Sequence, residues 1–352
     1  MPHTTEYHDH HNHDHDGLWN WIATKFHIHG HSHERRDLAS EKAFRESQLG
    51  IRTIWIALAV LLVTAVLQLV IVYFSGSVAL FADTAHNIGD GLNSIPLLLA
   101  FYLARRIPTR RYTYGFGRAE DVAGVVIVIS IAVSAVIVFS GAIQRFINPQ
   151  PLTNLGWIAA AALLGFFGNE AVAILQIRVG RKLNSAAMVA DGLHARTDGL
   201  TSLAVLLAAG GSWLGYPIID PIIGLLIGVV IVFISWDAMK TIWYRLMDAV
   251  DPKLIDRAEA VISENTDVLG IRRVRMRWVG HCLHAEVYIL VNPDLKTSES
   301  HQIAEQVRHV MFHEFEELTD INIHVDPWAE DFEAPHELTI VHEPVPALIH
   351  QN

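Results

Sequence analysis

The sequence predicts an α-helical membrane protein, a bundle of six transmembrane helices followed by a small cytoplasmic α+β domain. Of the 352 residues, 51% are apolar and only 18% are charged, which is too hydrophobic for an ordinary soluble domain. The apolar residues gather in six windows, each close to the ~20 residues that a helix needs to cross a bilayer. After Asp251 the pattern changes to the alternation typical of half-buried strands.

The first 49 residues form a polar cytoplasmic arm that is rich in histidine. Ten histidines precede Glu34, in runs such as HDHHNHDHD and HIHGHSH. Such tracts are usually unstructured and bind metals weakly. We interpret the segment as a metal-collecting arm, and an inert solvated tail is the alternative. The residues that we expect to collect metal are His8, His10, His11, His13, His15, His27, His29, His31 and His33.

The transmembrane domain covers residues 50–248, with spans predicted at 51–74, 78–104, 121–147, 155–179, 186–209 and 218–239. The connections at 75–77, 148–154 and 210–217 contain no Lys or Arg. By the positive-inside rule both termini are cytoplasmic, and we expect the inner membrane of the cell. The opposite connections contain the basic residues Arg105, Arg106, Arg110, Arg111, Arg118, Arg178, Arg181 and Lys182.

The pattern of apolar residues over 249–328 predicts a second, cytoplasmic domain. A helix over Pro252–Asn265 precedes two alternating strands that meet in a hairpin around Gly280. A second helix over Thr297–Phe315 is predicted by an apolar stripe at Ile303, Val307, Val310, Met311 and Phe315. Ile321–Val325 predicts a last short strand. The order α-β-β-α-β is typical of a small sheet with helices on one face. Residues 329–352 contain three prolines among acidic residues and are expected to form a flexible tail.

A repeated motif lies inside two of the apolar windows. The sequence ADTAHNIGDGLNS at 82–94 recurs as ADGLHARTDGLTS at 190–202, with seven identical positions. Each copy places His and Asp four residues apart, on one face of a helix. Each intramembrane Asp costs about 2.5–3.5 kcal/mol on insertion, so it must face a cavity, a partner or an ion.

These two faces predict a metal site formed by His86, Asp90, His194 and Asp198. Two imidazoles and two carboxylates suit tetrahedral Zn²⁺, and no thiolate is present to hold the ion too tightly. A polar interhelical network without metal is the alternative. Co²⁺, Cd²⁺, Ni²⁺ and Fe²⁺ accept the same ligands, but Zn²⁺ fits best.

Asp83 and Asp191 lie one turn before each histidine. We expect them to orient the ligands, to line a water pathway or to pack the helices. The sequence favours none of these three roles over the others.

The motifs HNIGD and HARTD, the segment YGFGRAED entering span three and the α-β-β-α-β tail resemble the cation diffusion facilitator family of zinc transporters, from about residue 50 to 326. The resemblance implies a homodimer that exchanges cytosolic divalent metal for external protons by alternating access, without an organic cofactor. It assigns His86, Asp90, His194 and Asp198 as the transport site. An imidazole binds metal only when neutral, so protons would compete with Zn²⁺.

The resemblance also implies further sites. Arg118 and Asp248 match a charge pair that holds the two protomers together in the family. His301, His324 and Asp326 match ligand positions of a cytoplasmic zinc cluster, but Arg272, Arg273 and Tyr288 occupy others. His284, with Glu286, could replace the lost ligands in a single site completed across the dimer, and a solvated sheet face is the alternative. The loop 104–117 lacks any ligand, so we expect no metal there.

Other classes of function fit the sequence less well. A net charge of −11 favours cations over nucleic acid as partners, and simple solvation of the cytoplasmic parts is an equally good explanation of the charge. An intramembrane metalloenzyme, such as a diiron or haem oxidoreductase, generally needs more histidines in its spans than two. A membrane-anchored metal sensor would not need paired ligands at mid-membrane. We therefore expect a transporter and not an enzyme.

Overall fold

The computed structural model describes residues 38–75, 81, 84, 88–89, 91–147, 154–216 and 218–329, with side chains from residue 44 onward. Residues 76–90 are described only at scattered positions. The transmembrane part contains the helices α1 Leu38–Ser75, α2 Ser94–Ala104, α3 Arg118–Ile147, α4 Leu155–Lys182, α5 Ala186–Trp213 and α6 Ile219–Leu246. Each overlaps one predicted span, and α2 covers the second half of span two.

Four of the described helices are long and apolar enough to cross a bilayer: α1 over Phe44–Ser75, α3, α4 and α6. Helix α5 has 28 residues but contains two aspartates and an arginine. Leu62, Val136 and Phe233 are each about two-thirds exposed, whereas Gln176 and His194 are almost fully buried. Apolar side chains outside and polar side chains inside indicate that lipid surrounds these helices. The protein is an integral membrane protein.

Helix α1 begins at Leu38, well before the predicted start of span one near residue 51. The additional residues include Leu, Ala, Glu, Lys, Arg and Gln, which have high helix propensity. An apolar window detects only the part of a helix that lies in lipid. The first span therefore continues as a helix beyond its apolar segment.

The cytoplasmic domain contains α7 Pro252–Ser263, β1 Gly270–Val279, β2 Cys282–Val291, α8 Thr297–Glu314 and β3 Leu318–Pro327, and the predicted order of elements is confirmed. Strands β1 and β2 are antiparallel, and β3 lies parallel to β2 after the α8 crossover. Val287, Ile289, Met311 and Phe315 are buried in its core. Val310, which we included in the apolar stripe, is instead exposed.

The turn between β1 and β2 contacts the start of α3. Gly280 adopts φ +61°, and a Cβ there would lie 2.8 Å from the Gly117 carbonyl oxygen and 2.9 Å from Glu120 Oε2. Only glycine combines this left-handed conformation with so close an approach. The Gly280 N–H donates to Asp121 Oδ2 at 3.3 Å. The cytoplasmic domain thus docks directly on a membrane helix.

His281, the second residue of that turn, is buried at the same junction. Its Nδ1 lies 2.8 Å from Oε2 of the buried Glu120, and its Nε2 lies 3.4 Å from Ser47 Oγ of α1. The imidazole stacks on Phe101 of α2, with ring centroids 5.6 Å apart. Burial alone would lower the pKa of His281, but hydrogen bonds to Cys282 and Glu120 outweigh it and raise the pKa well above its ordinary value.

Candidate metal centre

Helix α5 presents His194 and Asp198 one turn apart, as the motif predicts. Ser185 caps the start of the helix, because its hydroxyl accepts a bond from the Met188 N–H, and the helix is continuous through the motif. His194 Nε2 and Asp198 Oδ2 are 3.9 Å apart, and both side chains line a small cavity with Asn169 of α4. Asp83, His86 and Asp90, the candidates from span two, lie outside the described residues.

Asn93, just before α2, contacts His194. Its Nδ2 donates to Nε2 of the imidazole at 2.8 Å, and its Oδ1 accepts from Ser130 Oγ of α3 at 3.4 Å. The amide thus occupies the ring nitrogen that also faces Asp198. Asn93 was not among the predicted site residues, although it stands three residues after Asp90 in the repeated motif, a spacing that makes two residues neighbours on a helix.

Asp191 joins three helices through hydrogen bonds. Its Oδ2 accepts from Ser94 Oγ of α2 and from Gln176 Nε2 of α4, each at 2.6 Å. Asp191, Ser94 and Gln176 are all buried. Among the roles considered for Asp191, this geometry favours fixing the helices around the cavity. Ser94 and Gln176 were missed, because partners on other helices depend on helix rotation.

An intramembrane charge pair that was not predicted from the sequence joins α4 and α5. Arg196, between the two motif residues of α5, lies 2.7 Å from Glu170 Oε1 of α4. Both side chains are about one-third exposed. Pairing removes the cost of isolated charges in the membrane, so the bond fastens α5 to α4 on the side away from His194 and Asp198.

Arg118 and Asp248 form an ion pair within one chain. Arg118 Nη1 also bonds Asp121 Oδ2 at 3.3 Å and the Arg245 carbonyl oxygen at 3.1 Å. Asp248 lies two residues after the end of α6, with φ 55°. In the single chain this pair therefore ties the start of α3 to the end of α6, where the membrane part joins the cytoplasmic domain.

The candidate ligands of the cytoplasmic domain do not meet in one chain. His284 faces Asp320, with Nδ1 3.7 Å from Oδ2, and burial lowers the pKa of His284. His324 lies 2.9 Å from Asp326, whose other oxygen lies 3.4 Å from Arg272. Tyr288 pairs with His324 and His284 with Asp320 across the strands, so the two groups are about 13 Å apart.

His301 is exposed on the second turn of α8. Within the part of the chain that the structure describes, no group of three or more His, Cys, Asp or Glu side chains could hold one metal ion. The arm histidines from His8 to His33 lie outside that part. Of the predicted transport site, the described residues thus provide the α5 half.

Two family models match nearly the whole described chain. The cation efflux transmembrane domain matches residues 54–247, and the cytoplasmic domain of cation efflux proteins matches residues 250–328. The chain belongs to the cation efflux, or cation diffusion facilitator, family. Members of this family are transporters and not enzymes. This cation efflux protein therefore moves divalent metal cations. Its cytoplasmic part is a dimerisation domain.

Named relatives agree with this family. The "Probable cation efflux system protein Rv2025c" of Mycobacterium tuberculosis (strain H37Rv) is 49% identical over 297 residues, which cover 84% of this chain and 89% of the relative. The "Manganese efflux system protein MneP" of Bacillus subtilis is 29% identical and covers 78% of this chain and 96% of the relative. Among solved structures, a MamM CTD variant in its "Nickel form" is 19% identical, covers 22% of this chain and 100% of that chain, and has a TM-score of 0.22.

Proposed function

We propose that this cation efflux protein exports Zn²⁺ from the cytosol in exchange for protons, with His86, Asp90, His194 and Asp198 as the transport site. The observation that carries the proposal is the 3.9 Å distance between His194 Nε2 and Asp198 Oδ2. Two ligand atoms at ~2.1 Å from one zinc ion can be at most about 4.2 Å apart. The α5 half could therefore bind an ion without moving either atom far.

Proton exchange follows from the ligand set. An imidazole binds metal only in its neutral form, so each proton taken up by a histidine ligand opposes Zn²⁺ binding. Protons entering from an acidic exterior would expel the ion outward, and rocking of the helices would alternate access to the site. Both termini would then be cytoplasmic, with the chain in the inner membrane of the cell and working as a homodimer.

The metal preference can be tested by flux into proteoliposomes with Zn²⁺, Mn²⁺, Co²⁺ and Cd²⁺ supplied one at a time. Histidine nitrogens in a tetrahedral site favour Zn²⁺ over Mn²⁺, which prefers oxygen ligands. We expect the highest flux for Zn²⁺. A higher flux for Mn²⁺, which the name of MneP assigns to that relative, would overturn the zinc assignment.

The contact of Asn93 with His194 predicts an unusual variant. The Asn93 amide donates a hydrogen bond to Nε2 of His194, and a bound ion would have to replace this bond. Such a hydrogen bond contributes about 0.5–1.5 kcal/mol. Asn93→Leu should therefore bind Zn²⁺ about 2- to 10-fold more tightly. Calorimetric titration of protein lacking residues 1–33 measures this, with Ser140→Ala on α3 as a control away from the site. Weaker binding would instead make Asn93 a ligand.

The histidine arm remains a proposal about metal collection. Deleting residues 1–33 should weaken transport at low metal concentration but leave the maximal rate nearly unchanged, because collection is separate from translocation. Zinc flux measured over a range of concentrations tests this expectation. An unaltered concentration dependence would identify the arm as an inert tail.

For the cytoplasmic domain we propose a single metal site, completed by the partner protomer. His284 offers a nitrogen beside Asp320, and His324 lies beside Asp326. The guanidinium of Arg272 opposes a cation at Asp326. The His284 side of the sheet is therefore the better candidate.

A further inference from the structure

A cavity of about 280 Å³ lies between α3, α5 and α6, on the side of Asp198 that faces away from the cytoplasmic domain. It extends along α3 for about 16 Å, the length of the helix between Ser134 and Arg145. Its lining is polar at intervals along this length. The residues that matter here are Ser134, Gly141, Arg145, Asp198, Thr201 and Asp220.

Asp198 is the residue that this cavity shares with the smaller cavity around His194. An ion held by His194 and Asp198 would therefore adjoin both spaces. Thr201 follows Asp198 by nearly one turn of α5, and Ser134 of α3 lines the same cavity. Hydroxyl groups along an apolar passage can replace part of the water shell of a cation.

An ion pair stands at the far end of the same cavity. Arg145 Nη1 contacts both carboxylate oxygens of Asp220, at 3.0 and 3.2 Å. Asp220 is mostly buried and Arg145 is about half exposed. Arg145 lies in the last turn of α3 and Asp220 in the first turn of α6, so each charge also suits its own helix end.

Among the described residues that line this cavity, Asp220 is the one carboxylate at that end, and Arg145 pairs with it. While Arg145 Nη1 contacts both oxygens, its positive charge opposes the binding of a cation to Asp220. If Arg145 turns toward solvent, Asp220 becomes an acceptor for a divalent ion that leaves Asp198. Close packing of Gly224 on Ala142, where an added Cβ would lie 3.0 Å from the alanine Cβ, brings α3 and α6 near enough for this contact.

We propose that this cavity is the outer half of the ion pathway and that the Arg145–Asp220 pair is its gate, with Asp220 as the carboxylate that receives the outgoing cation. The proposal rests on the proposed function, because it requires Asp198 to hold the ion. It adds two residues and a route that the repeated motif does not contain.

The route can be tested by filling the cavity. A Cβ at Gly141 would meet no described atom within 4 Å, so Gly141→Leu should fold and occupy the space. We expect it to abolish Zn²⁺ flux in proteoliposomes while calorimetric Zn²⁺ affinity stays unchanged. Gly156→Leu is the matched control, since a Cβ there is equally free of described neighbours and lies on α4 outside the cavity lining. Wild-type flux in Gly141→Leu would overturn the route.

The gate can be tested by thiol labelling without measuring transport. Cys282 is the single cysteine, so Cys282→Ser with Thr201→Cys places one thiol in the cavity. We expect a membrane-impermeant methanethiosulfonate reagent, added outside, to label Thr201→Cys several-fold faster when Arg145→Gln is also present. Equal labelling rates would overturn the gate. Normal flux in Asp198→Ala would overturn the proposed function instead, whatever the labelling shows.

Discussion

Replacing Asp198 by alanine is expected to abolish zinc transport and to leave the folded dimer intact. The change removes one ligand and one neutralising charge from the proposed site. Mutation of residues that only hydrogen-bond to metal ligands already reduces metal affinity or activity by about 10- to 100-fold. Loss of a ligand itself should therefore reduce flux by more than about 100-fold. The helix should not lose stability, since removal of an intramembrane aspartate relieves an insertion cost of about 2.5–3.5 kcal/mol.

The measurement is zinc flux in proteoliposomes, with size-exclusion chromatography to verify the dimer. Asp237→Ala is the matched control, because Asp237 is an exposed aspartate of α6. It should retain wild-type flux. Flux at the wild-type rate in Asp198→Ala would show that Asp198 does not hold the transported ion.

The second large effect is expected at the domain junction. Glu120→Ala leaves His281 buried without its carboxylate partner at 2.8 Å, and breaking a buried pair costs about 3–5 kcal/mol. The pKa of His281 is raised in the folded protein. The stabilisation from its proton is therefore complete below the unfolded pKa of ~6.5 and is lost as pH rises through the higher folded pKa.

Thermal unfolding in detergent between pH 6 and 9 tests this linkage. The wild-type protein should lose stability toward alkaline pH more steeply than Glu120→Ala. The difference between their unfolding temperatures should therefore become smaller as pH rises. Glu305→Ala, at an exposed position of α8, should follow the wild-type curve. Parallel curves for the wild type and Glu120→Ala would contradict a charged His281 at the junction.

Much of the fold could be predicted because its helices and strands follow from local patterns of apolar residues in the sequence. Apolar windows located the described transmembrane helices, and alternation of apolar residues located β1 and β2 on either side of Gly280. The polar start of α1 was missed, because residues before Gly50 have helix propensity but no apolar run. Val310 was misplaced because helical periodicity gives the face of α8 only to within about one residue.

The candidate site was predicted less completely. The spacing of His194 and Asp198 placed both on one face of α5, because one helix turn fixes their relation. The contacts of Asn93 and Gln176 depend on how other helices rotate and approach, which no local pattern specifies. The same holds for His281 and Glu120, which are 161 positions apart in the sequence. Tertiary packing alone brings these pairs together.

Counting zinc ions and protons in the same liposomes tests the central claim most directly. One dye reports luminal Zn²⁺ and another reports luminal pH, with protein lacking residues 1–33 to remove binding by the arm. We predict that zinc and protons move in opposite directions in a fixed ratio, and that Asp198→Ala moves neither. Zinc flux without a proton counterflow, or unchanged fluxes in Asp198→Ala, would contradict exchange of zinc and protons at this site.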